Sequence, residues 1–261
     1  MSEIAVGSSA WAIRSVWMRY FDVYRKNIKY ALLTTLGEPI LYLVSFGYGL
    51  GGLIGTVNLD GTQLTYRQFV FAGIVAQAVL FQGFFEAAYG SFIRMHYQKI
   101  FKAMALTPIT MSEVLWGELL WDASKATFSA SVVLLIGCLT RDFSIVGSLL
   151  AIPVCFISAL IFSGLGLWCS SKSETIDQIN YPQYLLVFPM FLYCGVYFPI
   201  QQLPKYLQLV AWFFPLTSVA SLARTLTLGV PFYHRTIPLI LGWALLLVVF
   251  SRRAMTRRLI K

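Results

Sequence analysis

Residues 147–169 read GSLLAIPVCFISALIFSGLGLWC, twenty-three positions without a charged side chain. A bilayer's hydrocarbon core is about 30 Å thick and a helix crosses it in ~20 apolar residues. The stretch is therefore long enough to span. Outward from it, similar blocks recur at 31–52, 68–90, 114–139, 181–198 and 236–250. They lack the opposed polar face of a soluble helix. Composition agrees: 58% of residues are hydrophobic and 12% charged, against about 25% charged in soluble domains. A chain of 261 residues has room for one or two soluble domains, but equally for six spans and short loops. The reading is an all-α integral membrane protein with six transmembrane helices, organised as an N-terminal segment 1–30, a membrane domain 31–250 and a basic tail 251–261.

The net charge of +9 would suggest nucleic acid if the chain were soluble. The cations instead cluster beside apolar blocks, where they act as topology signals and meet anionic lipid, so no nucleic-acid partner is expected. With a cytoplasmic N-terminus and six spans, fourteen of the twenty Lys and Arg fall on cytoplasmic segments, five outside, and Lys125 lies in a span. Both termini are then cytoplasmic. This balance also decides the ambiguous region 199–228: Tyr206–Leu216 is only eleven residues long, too short to cross. It reads as part of a re-entrant extracellular hairpin, 199–216, before the last span. A seventh span would put the basic tail outside, against the positive-inside rule.

Before the first span, Ile13, Val16, Trp17, Tyr20, Tyr24 and Ile28 recur at helical spacing opposite Arg19, Asp22, Lys26 and Lys29. This pattern predicts a helix lying in the membrane interface, or an amphipathic helix packed on a partner. Residues 1–30 lack a continuous apolar core and a small-residue cleavage site, so the first span is expected to serve as its own targeting signal. The connector 91–113 carries a short amphipathic stretch from Tyr97 to Leu106, ended by Thr107-Pro108. Its apolar Ile100, Phe101 and Met104, with the cations Lys99 and Lys102, form a candidate docking handle for a partner groove, or a passive interfacial loop.

Glu38, Glu86, Glu118, Asp122 and Lys125 fall within or beside apolar blocks. Charges there must face protein, water or a headgroup; Asp122 and Lys125, three residues apart, are placed to pair on one helix face. Cys138, Cys155, Cys169 and Cys194 form no CxxC pair, and His96 and His234 lie far apart, so no metal site is expected. Aromatic residues make up 16% of the chain. Tyr42, Phe46, Phe188, Phe191, Tyr193, Tyr197 and Phe198 offer ring faces for a sugar path, or ordinary interfacial aromatics. Pro199 and Pro215 bracket the hairpin as a gate, or as a static plug.

The stretch FPMFLYCGVYFPIQQLPKYLQLVAWFFPLTSVASLART at 188–225, with Gly195, Phe198-Pro199, Leu203-Pro204, Pro215-Leu216-Thr217 and Arg224, resembles the C-terminal signature of the permeases of type-2 ABC exporters. AMALTPIT at 103–110 looks like that family's coupling-helix region. The resemblance covers essentially the whole chain. FEAAYGSFIRMHYQKIFKAM at 85–104 and GELLWDASKATFSAS at 117–131 are most similar to lipo-oligosaccharide (nodulation-factor) exporter permeases. Many members carry an acidic residue where this chain has Lys102. The resemblance implies a cytoplasmic coupling helix, two permease copies with the substrate path between them, and two soluble ATPase subunits. It also implies a bacterial inner-membrane location and an amphipathic glycolipid or oligosaccharide substrate, with a drug or other lipid as the alternative. No glycine is followed directly by lysine, so the chain has no Walker A loop; ATP and Mg belong on the partner, and this chain is expected to bind no cofactor and catalyse no reaction. A lipid-modifying enzyme would need convergent acid–base or metal groups, and a proton-coupled transporter often shows repeated halves. Neither pattern is visible.

Overall fold

A computed structural model describes residues 8–59 and 61–259; residues 1–7 of the N-terminal segment and 260–261 of the basic tail lie outside the described residues. Helix α1 (Ser9–Lys26) precedes α2 (Ile28–Ile54), and a two-stranded hairpin, β1 (Thr56–Leu59) and β2 (Thr62–Thr65), leads into α3 (Tyr66–His96). A short α4 (Ile100–Ala105) connects to α5 (Met111–Leu139), and α6 (Ile145–Lys172) follows. Residues 176–193 form one irregular helix, α7, built of 3-10, α and π turns. Then come α8 (Lys205–Phe213), α9 (Pro215–Leu228) and α10 (Thr236–Leu259).

Helices α2, α3, α5, α6 and α10 are long and apolar enough to cross a membrane. The pair α8–α9 passes the same test only when taken together, and it is bent by 87°. The sequence-based span 181–198 is broken instead: its helix ends at Tyr193, and Gly195 takes a positive φ of 75°, so the chain turns four residues before Pro199. The segment expected as a hairpin at 199–216 holds α8 and the bend at Phe214, and α9 continues from Pro215 to Leu228, ending on left-handed Gly229.

Local sequence explains many of the ends. Thr65 and Gln68 form a capping box at the start of α3, and Thr110 and Glu113 do the same for α5; in each, two orphan amides are satisfied reciprocally. Pro39 inside α2 has no N–H to give the Thr35 carbonyl. The Ser129 hydroxyl of α5 donates to that carbonyl at 2.9 Å, so the helix keeps its backbone satisfied away from water. The β-hairpin departs from a strictly all-α reading. Its register pairs Thr56 with Thr65 and Leu59 with Thr62, the close pairing of a tight hairpin.

Helix α3 is the central post, covered by α2, α5, α6 and α9. Its residues Phe69, Phe71, Ile74, Leu80 and Phe84 are fully buried. Close approach is set by small residues. A Cβ on Gly166 of α6 would lie 2.6 Å from the Phe84 carbonyl oxygen, and one on Gly117 of α5 would lie 2.6 Å from Val16 of α1. Two ends result. One carries the β-hairpin, the 140–144 loop and the C-terminus of α9, where the Ser144 amide donates to the Thr227 carbonyl. The other carries α4 and the ends of α3, α6 and α10, where Arg258 meets the Ser170 carbonyl and the His96 ring.

Candidate functional site

Next to α4, α3 departs from regular geometry in a π segment, Glu86–Gly90. Such bulges often mark functional positions. This one faces α5 and brings four of the five sequence-marked charges together around a residue assigned from sequence to the connector, Arg94. Its Nε donates to Glu118 Oε1 at 2.8 Å, its Nη1 to Glu86 Oε1 at 2.9 Å, and its Nη2 lies 3.4 Å from Asp122 Oδ1. Lys125 Nζ closes the group on Glu86 Oε2 at 2.6 Å, and the Ser91 hydroxyl donates to Glu118. A Cβ on Gly90 would stand 3.1 Å from the guanidinium, so glycine makes room for it.

The expected Asp122–Lys125 pair is therefore corrected. Asp122 turns to Arg94 and Lys125 to Glu86, because the fixed fork of a guanidinium can serve several carboxylates at once. Glu118 and Asp122 have no exposed surface. Helix α1 roofs the cluster: the Tyr20 ring lies 4.9 Å from the Arg94 guanidinium and the Tyr24 ring 5.7 Å from Lys125. Burial, then the Glu118 carboxylate, pushes the Tyr20 phenol well above its usual range, so it stays protonated. Glu38 is apart from the group. It lines a narrow cleft with Tyr42, Gln77, Gln82 and Ser129.

The connector folds differently from its sequence-based role. Phe101 and Met104 are buried against Val16, Tyr20 and Leu115, and Ile100 packs on the same group. The apolar stripe of α4 is spent on its own chain, so these residues are not surface anchors. The exposed face is made by Tyr97, Lys99, Lys102, Leu106, Thr107 and Pro108, with Leu106 90% exposed. Lys99 sits in a left-handed conformation at the start of α4. A cavity of about 310 Å³ joins this element to the charge cluster; Gln98 and Ile100 share its walls with Glu86, Arg94 and Lys125.

The aromatic set divides. Tyr42, Phe46, Phe191 and Tyr197 form one cluster, with Phe46 and Tyr197 centroids 4.2 Å apart and Phe81 joining at 5.0 Å from Phe191. Tyr197 donates to Gln77 at 2.7 Å. Phe188 meets Phe81 and Tyr184 at the edge. Tyr193 faces outward and Phe198 is half-buried; neither joins the cluster. Pro199 and Pro215 are buried.

A family model described as ABC-2 type transporter matches residues 12–228. The chain belongs to the ABC-2 type transporter family. It is 31% identical over 231 residues to Nodulation protein J of Rhizobium leguminosarum bv. viciae, covering 88% of this chain and 87% of that one. It is 30% identical over 230 residues to Nodulation protein J of Rhizobium meliloti (strain 1021), covering 88% and 86%. The protein named Inner membrane transport permease YadH of Escherichia coli (strain K12) is 21% identical over 237 residues, 91% and 89% of the two chains. The matched stretch of this ABC-2 permease contains most of α1, the charge cluster, α4 and α9. It is thus a transporter's membrane component, and the charge cluster and connector face lie within the matched range.

Proposed function

We propose that this permease is the membrane half of an ATP-driven exporter. Two copies enclose a path, and a soluble ATPase subunit, itself in two copies, binds ATP and Mg and docks on the α4 end. The observation that carries the reading is the exposed face Tyr97, Lys99, Lys102, Leu106 standing over a cavity shared with the Arg94 cluster. A partner pressing on α4 acts on residues that tie α3 to α5, which gives nucleotide-driven motion a rigid route into the bundle.

Segregation of the cations supports a cytoplasmic location for both termini. Lys99, Lys102, Lys172 and the four arginines 252, 253, 257 and 258 gather at the α4 end, as the positive-inside rule requires of the cytoplasmic side. The Escherichia coli relative is named an inner membrane transport permease, which fits an inner-membrane location. For the cargo, the likeness to the two Nodulation protein J chains, with the stretches 85–104 and 117–131, supports an amphipathic lipo-oligosaccharide or related glycolipid. The Tyr42, Phe46, Phe191, Tyr197 cluster is suited to sugar faces and acyl chains alike; a drug or another lipid is the alternative cargo. Uptake into inverted vesicles, with and without ATP, separates these cargoes.

Docking is tested on the connector. Lys102→Glu and Leu106→Asp should each weaken copurification of the ATPase, by about tenfold for the loss of an interface anchor worth ~1–2 kcal/mol. ATPase stimulation should fall with it. Unchanged copurification and unchanged coupling in both variants would remove the docking assignment.

A further inference from the structure

At the opposite end, the bend between α8 and α9 leaves a cavity of about 240 Å³ under the loop 229–235 and against β1. Its base is apolar, with Leu59, Ile200 and Val230. One wall carries Trp212 and Tyr233, ring centroids 5.5 Å apart and inclined at 66°, so the two rings meet at a corner. The remaining walls bear Gln208, Ser221, Arg224 and Arg235.

These walls are rich in donors. Trp212, Ser221 and Arg235 have no side-chain hydrogen-bond partner among the described residues. Gln208 spends its amide N–H groups on the Leu203 and Gln201 carbonyls, which leaves its oxygen as an acceptor. Arg224 is only 5% exposed. It lies 3.9 Å over the Phe69 ring and donates to the Gly195 carbonyl at 2.6 Å, with longer contacts to Phe69 and Val196 carbonyls. Carbonyls occupy its Nε and Nη2 but carry no net charge. Neither the buried Arg224 nor Arg235, which is exposed at the cavity rim, is paired with a carboxylate among the described residues. A buried cation left without an anion is costly, and guanidinium groups match oxyanions.

We infer that this cavity is a binding site for a sugar ring bearing an anionic substituent. The aromatic corner takes the C–H face of the ring, since an aromatic body packs apolar surface while its polar handle stays available. The Trp212 and Ser221 donors and the Gln208 oxygen suit hydroxyl groups, and Arg235, reinforced by Arg224, takes the phosphate, sulfate or carboxylate. The volume admits one ring with its substituent and is below the roughly 300–1,000 Å³ of drug-sized pockets. The site depends on the transporter reading only for its place at the far end of the path, and it is read by binding alone, without ATPase.

The full chain in phosphatidylcholine nanodiscs is titrated with glucose 6-phosphate, glucose and inorganic phosphate. Glucose 6-phosphate should bind saturably and about tenfold more tightly than either fragment, the scale of one charge-assisted contact. Arg235→Gln should remove the preference for the charged sugar, and Arg235→Lys should keep part of it. Trp212→Leu should weaken glucose and glucose 6-phosphate together while leaving phosphate unchanged. Thermal transitions matching the parent chain show that the variants fold. The inference is overturned by absent saturable binding at millimolar sugar phosphate, by equal affinity for glucose and glucose 6-phosphate, or by parent-like affinity in Arg235→Gln. Competition by phosphatidylglycerol added to the nanodiscs would also overturn it, making the site one for a lipid headgroup. Failure here leaves ATPase docking intact, and loss of docking leaves this binding intact.

Discussion

Arg94 holds three carboxylates, and two of them have no exposed surface. Removing the one group that faces all three leaves buried charge uncompensated. Arg94→Met should cost about 3–5 kcal/mol, the range for breaking a buried ion pair from one side, measured as a shift in denaturation of the purified protein. Glu86→Gln, at the half-buried rim, should cost less. A loss below that of Glu86→Gln would show that the cluster is not a structural centre. The carboxylates and Lys125 were legible because charges stand out in apolar blocks. Arg94 was not, because the apolar block ends at 90 and the helix continues to His96. Its spacing was informative all the same: Glu86, Gly90 and Arg94 recur every four residues, which places them on one helix face.

Elements obey local rules at their ends and global ones in their middles. The capping boxes at Thr65 and Thr110 could be read from neighbouring residues. The π segments of α2, α3 and α7 could not, because what they accommodate lies on other helices. Contact between α3 and α6 makes the point quantitatively. Gly166→Val places side-chain atoms against the Phe84 carbonyl and the Ala87 methyl, and overpacking of this kind costs roughly 1–3 kcal/mol. Gly242→Val, on the open side of α10 with nothing within 4 Å, should change stability by less than ~0.5 kcal/mol. Comparing the two unfolding midpoints tests the packing, and equal midpoints would refute it.

For the whole molecule, the proposed second copy requires a face on which to meet the first. Helix α7 buries Ile179, Val187 and Met190 against its own chain and exposes Tyr181, Tyr184, Leu185 and Leu192. Two phenols on one membrane-level face favour a protein neighbour over lipid, since polar groups in hydrocarbon seek partners. Leu185→Cys should therefore yield a disulfide-linked dimer when membranes are oxidised, above the background of the four native cysteines. Leu149→Cys, on the outer face of α6 and equally exposed, should not. Cross-linking at position 149 alone would reassign the interface. Leu216, at the head of α9, is fully buried and cannot serve such a contact.

Composition and apolar block length alone determined a membrane-spanning helical protein and an irregular segment before the last helix, because hydrocarbon thickness and backbone satisfaction act on each segment by itself. The signature stretches also pointed to the family before any contact was known. Tertiary structure alone decided that Phe101 and Met104 face inward, that Asp122 and Lys125 take different partners, and that two arginines border a cavity beside Trp212. Each of those outcomes depends on which side chains from distant segments compete for the same buried space, and a linear pattern of polarity does not record the winner.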